Sequence, residues 1–168
     1  MRRINPEPLT AEAFAPFGDV IEAGPKAVQR LINFGHTARF HDLAEIDVME
    51  GGGKVGVSIF RTKPVRGEVV IKVMEHHPKS SQAFIPLSAH PYLVVVAPPG
   101  PFEAGGLCVF AASPNQGVNY RKGTWHHYNL ALAEESDFLV IDRIAPNGDD
   151  DDCEEIELSP AEQVTLKL

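Results

Sequence analysis

Little in this 168-residue sequence favours a membrane span, a disulfide framework or nucleic-acid binding. The longest apolar stretch, Leu93 to Pro99, falls far short of the roughly 20 residues that cross a bilayer. Only two cysteines occur, Cys108 in an apolar run and Cys153 in an acidic stretch, so two separate thiols are expected, as in a reducing, cytoplasmic setting. The net charge is -8 with no clustered basic stripe, which excludes nucleic acid and anionic membrane surfaces as partners and favours a small molecule or another protein. Behind Arg2 and Arg3 there is no apolar core, so the start does not read as a secretion signal. No G-x-G-x-x-G follows a strand pattern, which argues against a nucleotide or flavin cofactor.

Helical signals are also few. Thr10 is placed as the N-cap of a short helix, with Leu9 and Phe14 as a hydrophobic staple and Pro16 and Gly18 ending it. A second start, Ser159-Pro160-Ala161-Glu162, has the form of a capping box and predicts one or two turns. Most of the rest reads as short strands: 55–61, 68–74, 82–86, 92–97, 107–112, 117–120, 124–128 and 138–143, separated by Gly and Pro turns. That pattern predicts a mostly β antiparallel sandwich or barrel, because the helices that parallel crossovers need are missing. One domain over 1–168 is expected, with a mobile, self-repelling acidic loop near 147–155.

Four of the seven histidines lie in two doublets, His76-His77 and His126-His127. Strand neighbours face opposite sides, so one member of each pair can point into a barrel. Glu75 and His77 share a face, and Gln82 follows; parity leaves open whether His126 or His127 joins them. Completed as in the cupin barrels, whose metal motifs these two segments resemble, the set Glu, His, Gln and His would supply oxygen and nitrogen donors that suit one divalent ion such as Zn²⁺, Ni²⁺ or Mn²⁺, and a metal-free pocket remains the alternative.

The segment Glu75-His76-His77-Pro78 through Gln82 resembles the first motif of the cupin barrels, and Gly123-Thr124-Trp125-His126 resembles the second. Glu75 stands where cupins have His, and Gln82 where they have Glu. A narrower likeness covers nearly the whole chain. Glu-x-His-Pro followed by Ser81-Gln82-Ala83-Phe84-Ile85-Pro86, and Gly117-Val118-Asn119-Tyr120 followed by Trp125-His126-His127, are similar to the ureidoglycolate lyase family, formerly ureidoglycolate hydrolase. Phe17 to Ile21, Phe40 to Leu43 and Asp137 to Arg143 agree in order, while Tyr128 departs from the Pro frequent in that family.

The resemblance implies a cupin-like antiparallel β-barrel (a double-stranded β-helix or jelly roll) with a few short helices, a homodimer, and cleavage of (S)-ureidoglycolate to glyoxylate and urea in allantoin and purine degradation. Such an elimination needs a base for the hydroxyl proton and an acid for the departing nitrogen. His77 and His126, with Glu75 and Gln82, are the catalytic candidates, as acid and base or as metal ligands. For the substrate, Arg61 ends the stripe Val55, Val57, Ile59 and reads as an inward charge, paired either with the substrate carboxylate or with a carboxylate such as Asp142. Arg143 is a second guanidinium of this kind, Tyr120 and Asn119 are placed to meet the urea moiety, and His127 is the reserve for His126. Two other functions stay open: a non-catalytic cupin-like module that binds a small carboxylate, and another metal-dependent cupin enzyme.

Overall fold

The computed structural model describes residues 2–167. Its frame consists of the helix α1 (Ala11–Phe14) and the strands β1 (Gly18–Ile21), β2 (Lys54–Thr62), β3 (Val73–His76), β4 (Gln82–Pro86), β5 (Tyr92–Ala97), β6 (Cys108–Ala112), β7 (Gly117–Tyr120), β8 (Trp125–His126), β9 (Ser136–Ile144) and β10 (Glu154–Glu157). These strands form two sheets, ordered β1-β7-β4-β9-β2 and β10-β3-β8-β5-β6. The chain passes repeatedly from one sheet to the other, so that β2-β9-β4-β7 faces β3-β8-β5-β6. This interleaved order is the jelly roll of a double-stranded β-helix, the architecture of cupin-like barrels.

The alternation of each strand builds the core. Phe84, Val118, Tyr120, Phe138 and Val140 from the first sheet meet Tyr92, Val94, Val96 and Phe110 from the second. Phe14 of α1 closes one end of this cluster; Thr10 caps that helix by accepting from the Ala13 amide at 3.1 Å. The outer face of the second sheet is covered in turn. A small sheet of Arg2–Ile4, Val164–Leu166 and Val69–Ile71 packs over it, enclosing Met74, Leu93, Val95 and Trp125. Trp125 stacks on His76 at 3.9 Å and donates to the Gly100 carbonyl at 2.8 Å, which makes it a core residue.

Three expectations change. The capping box at Ser159 forms, with Glu162 accepting from the Ser159 amide and hydroxyl, but only a turn follows because the chain enters the strand Val164–Leu166. The predicted strand 68–74 is split between two sheets, as Val69–Ile71 and β3. Most consequential, Val55, Val57 and Ile59 face outward, Val57 with 65% of its surface exposed. The register with β9 decides this: Ser58 and Phe60 lie opposite Val140 and Phe138, whose side chains fill the core, so the other parity of β2 is outside.

Between β1 and β2 lies a separate two-stranded hairpin, Val28–Ile32 and Thr37–His41. Val28, Leu31, Ile32 and Phe34 are exposed on it, and its tip places Asn33 and Phe34 at φ of 52° and 57°. No helix among the described residues is long and apolar enough to cross a membrane. Cys108 and Cys153 are both free.

Candidate functional site

At one end of the barrel the strand termini gather around a cavity of about 360 Å³, lined among others by Phe60, Glu75, His77, Gln82, Asp142 and Arg143. Its construction follows from parity. Glu75 on β3 lies directly opposite His126 on β8, and both side chains turn inward; the Glu75 carboxylate is 3.6 Å from His126 Nδ1. His77, two residues beyond Glu75, keeps the same direction, and its ring centroid lies 5.2 Å from that of His126. Gln82 enters from the facing sheet, on the parity that also aims Phe84 into the core. Ligand atoms of Glu75, His77 and His126 lie within 4.8 Å of one another.

His126 is 1% exposed and stacks on the Tyr120 ring at 4.3 Å and 7°. Burial, and next the neighbouring His77, holds its pKa well below the usual imidazole range, so it is neutral near pH 7. Burial has the opposite sign for acids. It raises Glu75 against the attraction of His77, raises Asp142, and pushes the Cys153 thiol beside Glu75 up to about 12.

The hydrogen bonds leave a pattern. His77 Nδ1 donates to the Asp152 carbonyl at 2.7 Å, and the Gln82 side chain beside Asp142 favours its carboxylate against the effect of burial. His77 Nε2, His126 Nε2, Gln82 Oε1 and Asp142 Oδ1 are then buried without a partner. His77 Nδ1 bonds an oxygen and His126 Nδ1 faces the Glu75 carboxylate at 3.6 Å, so Nε2 is the ring atom left without a partner in each; the other two atoms are oxygens. Buried polar atoms without a partner, on three residues that line the cavity and on His126 beside them, are what a cation or a hydrogen-bond-donating ligand satisfies. The donor set of Glu75, His77 and His126 fits a divalent ion.

Other candidates lie elsewhere. Arg61 shares the outward parity of Val57 and forms a two-pronged pair with Asp137 at 2.8 Å on each bond, with Glu135 nearby. The expected inward charge is therefore corrected: the side chain that ends an inward apolar stripe is Asp142, after Phe138 and Val140 on β9. Asn119 points away from the barrel and donates to Asp19 at 2.9 Å and to the Glu45 carbonyl at 2.8 Å, so it does not reach the cavity. Tyr120 faces inward, with its hydroxyl 3.4 Å from Asn129 Oδ1. His127 turns to the opposite side from His126 and bonds the Tyr128 carbonyl at 2.9 Å. Arg143 reaches the cavity wall with Nη1 on Asp151 and Nε on the Glu50 carbonyl, leaving Nη2 buried and unpaired.

The acidic run is not a free loop. Asp151 binds Arg143 and Lys79, and Asp152 is buried against the turn after β3, because amides, a hydroxyl and cations there neutralise the repulsion expected between neighbouring aspartates. Asp142, Asp152 and Ser80 were the site residues not singled out for the cavity from sequence. Period-two alternation along β9 carried the signal for Asp142; nothing local carried it for the other two.

The family model for ureidoglycolate lyase matches residues 1–165. A ureidoglycolate lyase of Burkholderia mallei (strain NCTC 10229) is 52% identical over 144 residues, covering 85% of this chain and 84% of that protein. One from Burkholderia cepacia is 53% identical over 156 residues, 92% of this chain and 86% of the relative. One from Pseudomonas entomophila (strain L48) is 44% identical over 167 residues, 99% and 97% of the two chains.

Proposed function

The chain belongs to the ureidoglycolate lyase family, and on that footing we propose that it cleaves (S)-ureidoglycolate to glyoxylate and urea, a carbon–nitrogen lyase step in allantoin degradation. The observation that supports it best is a small cavity lined by Glu75, His77, Gln82 and Asp142, with His126 clustered on Glu75 and His77 beside it and a buried, unpaired atom on His77, His126, Gln82 and Asp142. The substrate carbon bears a hydroxyl, a carboxylate and a ureido nitrogen. Cleavage takes the hydroxyl proton, turns C–OH into C=O, breaks C–N and returns a proton to nitrogen, so nothing is oxidised and no water is consumed.

A divalent ion on Glu75, His77, Gln82 and His126 would supply Lewis-acid polarisation of the hydroxyl when bound. Asp142 stands beside Gln82 with a carboxyl pKa raised by burial, which suits it to accept the hydroxyl proton and pass it to the leaving nitrogen. Gln82 favours the charged form of that carboxyl. Arg143 offers Nη2 to the substrate carboxylate, and Phe60 gives the mouth an apolar wall that keeps water away from the reacting carbon.

The test is release of glyoxylate, urea and ammonia from racemic ureidoglycolate above the spontaneous rate, with and without chelator. Urea and glyoxylate in equal amounts from half the racemate, lost on chelation and restored by Zn²⁺, Ni²⁺ or Mn²⁺, are expected. Ammonia in place of urea would make the protein a hydrolase. No excess over the blank with any metal would leave a non-catalytic, carboxylate-binding module.

The working form is a cytoplasmic homodimer in this reading, a setting with which the two free thiols agree. An isolated two-stranded hairpin is marginal in water, yet 28–41 carries Val28, Leu31, Ile32 and Phe34 into solvent. Residues 25–41 hold Lys26, Arg30 and Arg39 with no acidic residue, in a chain of net charge -8. A basic, apolar arm is complementary to the acidic body of a second copy, and the outward stripe Val55, Val57 and Ile59 offers it an apolar seat. Sedimentation velocity should give a dimer, and Leu31→Ser with Phe34→Ser a folded monomer. A wild-type monomer at micromolar concentration would remove the arm from this role.

A further inference from the structure

Asp152 is the one aspartate of the acidic run whose side chain is buried, 5% exposed, and all its polar atoms are engaged near the candidate site. Its carboxylate accepts from the Ser80 hydroxyl at 2.6 Å and from the Lys79 backbone amide. Its own amide donates to Asp150 Oδ1 at 3.3 Å. Its carbonyl accepts from His77 Nδ1 at 2.7 Å. One residue therefore ties the segment that returns from β9 to the turn joining β3 and β4, and does so within three residues of His77.

A carbonyl oxygen only accepts, so the His77 ring must carry hydrogen on Nδ1. In the neutral ring Nε2 is then bare, and it is that atom which is buried and unpaired, in a side chain that lines the cavity. We propose that Asp152 is a positioning residue: its carboxylate clamps the Lys79-Ser80 turn, and its carbonyl thereby fixes His77 in the Nδ1–H tautomer with the Nε2 lone pair presented to the reaction. This rests on the reading of His77 as a group that works through Nε2.

The clamp has a direction. Lys79 and Ser80 precede Gln82 by a few residues, so the same carboxylate also sets where β4 begins and how Gln82 enters the cavity. Removing the carboxylate leaves the Lys79 amide and the Ser80 hydroxyl without their acceptor in a buried place. The segment is then released, and the carbonyl moves with it. Outer partners of this kind change metal affinity or turnover by about 10–100-fold when they are lost.

The experiment uses chelator-treated, ¹⁵N-histidine-labelled protein and reads the ring tautomers from long-range ¹H–¹⁵N correlations, beside a zinc titration against a chromophoric chelator. Wild type should show His77 with hydrogen on Nδ1. Asp152→Ala should mix the tautomers, weaken zinc about 10–100-fold and lower kcat similarly, with KM within about twofold. Asp152→Asn, which keeps one acceptor and gains an NH₂ for the Ser80 oxygen, should retain the wild-type tautomer. If Asp152→Ala fails to fold, Ser80→Ala removes one leg of the clamp and should shift the tautomer in the same sense. A wild-type ring with its hydrogen on Nε2, or an Asp152→Ala ring and zinc affinity equal to wild type, overturns the proposal. Both readouts are taken without substrate, so a failure of the lyase reading is seen separately, in the product assay.

Discussion

His126→Gln is expected to lower kcat/KM for ureidoglycolate by about 10²–10⁴-fold while leaving the protein folded. The imidazole is enclosed on every side: Glu75 faces Nδ1, Tyr120 covers one ring face, and His77 lies beyond the edge. Burial keeps it neutral, so its Nε2 lone pair is available without the cost of first removing a proton. Gln nearly matches its reach and keeps a polar head for Glu75, but an amide oxygen neither accepts a proton at neutral pH nor binds a borderline metal as strongly as imidazole. Steady-state kinetics beside a thermal melt check this. Retained activity with an unchanged melt would move the chemistry away from the Glu75, His77 and His126 cluster.

Phe138→Ala should cost about 3–5 kcal/mol of stability, which for a domain of this size corresponds to a melting temperature lower by about 6–20 °C. Its ring is 1% exposed and packs edge-on to Tyr92 at 5.0 Å and to Phe84 at 6.4 Å, joining the two sheets at the centre of the barrel. Leu139→Ala, one residue along on the half-buried outer face, should cost much less. A small effect at Phe138 would mean that the parity of β9 is reversed. Asp142 shares that parity, so the same result would turn it away from the cavity.

The strands with strong alternation or apolar density were legible in the sequence: 82–86, 92–97 and 117–120 match residue for residue, because burial on both faces, or on one, writes itself into composition. The edge and covering strands were not. Arg2–Ile4, the 28–41 hairpin and Glu154–Glu157 have mixed or exposed patterns, and only their partners make them strands. At the site, parity put Glu75 and His77 on one face and left His126 or His127 to join them, until the pairing of His126 with Glu75 decided between the two. Which way β2 faced was not local. Val55, Val57 and Ile59 look like a core stripe until β9 pairs with β2 and turns its buried Phe138 and Val140 to the other parity. Arg61 therefore went outside to Asp137, and the inward charge was Asp142. Asn119, expected to meet the urea moiety, faces away for a similar reason: its neighbour Tyr120 owns the inward position, and the loop with Glu45 that covers Asn119 comes from 74 residues away.

The pairing of β2 with β9 joins residues 54–62 to 136–144, and the contact of His77 with Asp152 spans 75 residues. A chain leaving the ribosome at about 5–20 residues per second exposes β2 for several seconds with its eventual neighbour still unmade. Topologies dominated by such distant pairings fold slowly. The outward apolar stripe of β2 is then both an unpaired edge and a sticky surface, so the newborn chain is most prone to aggregation before β9 arrives. His77 can be oriented only after residue 152 has emerged. No shortened chain that stops at β9 holds its imidazole in place, and the reactive constellation exists only in molecules whose barrel has already closed.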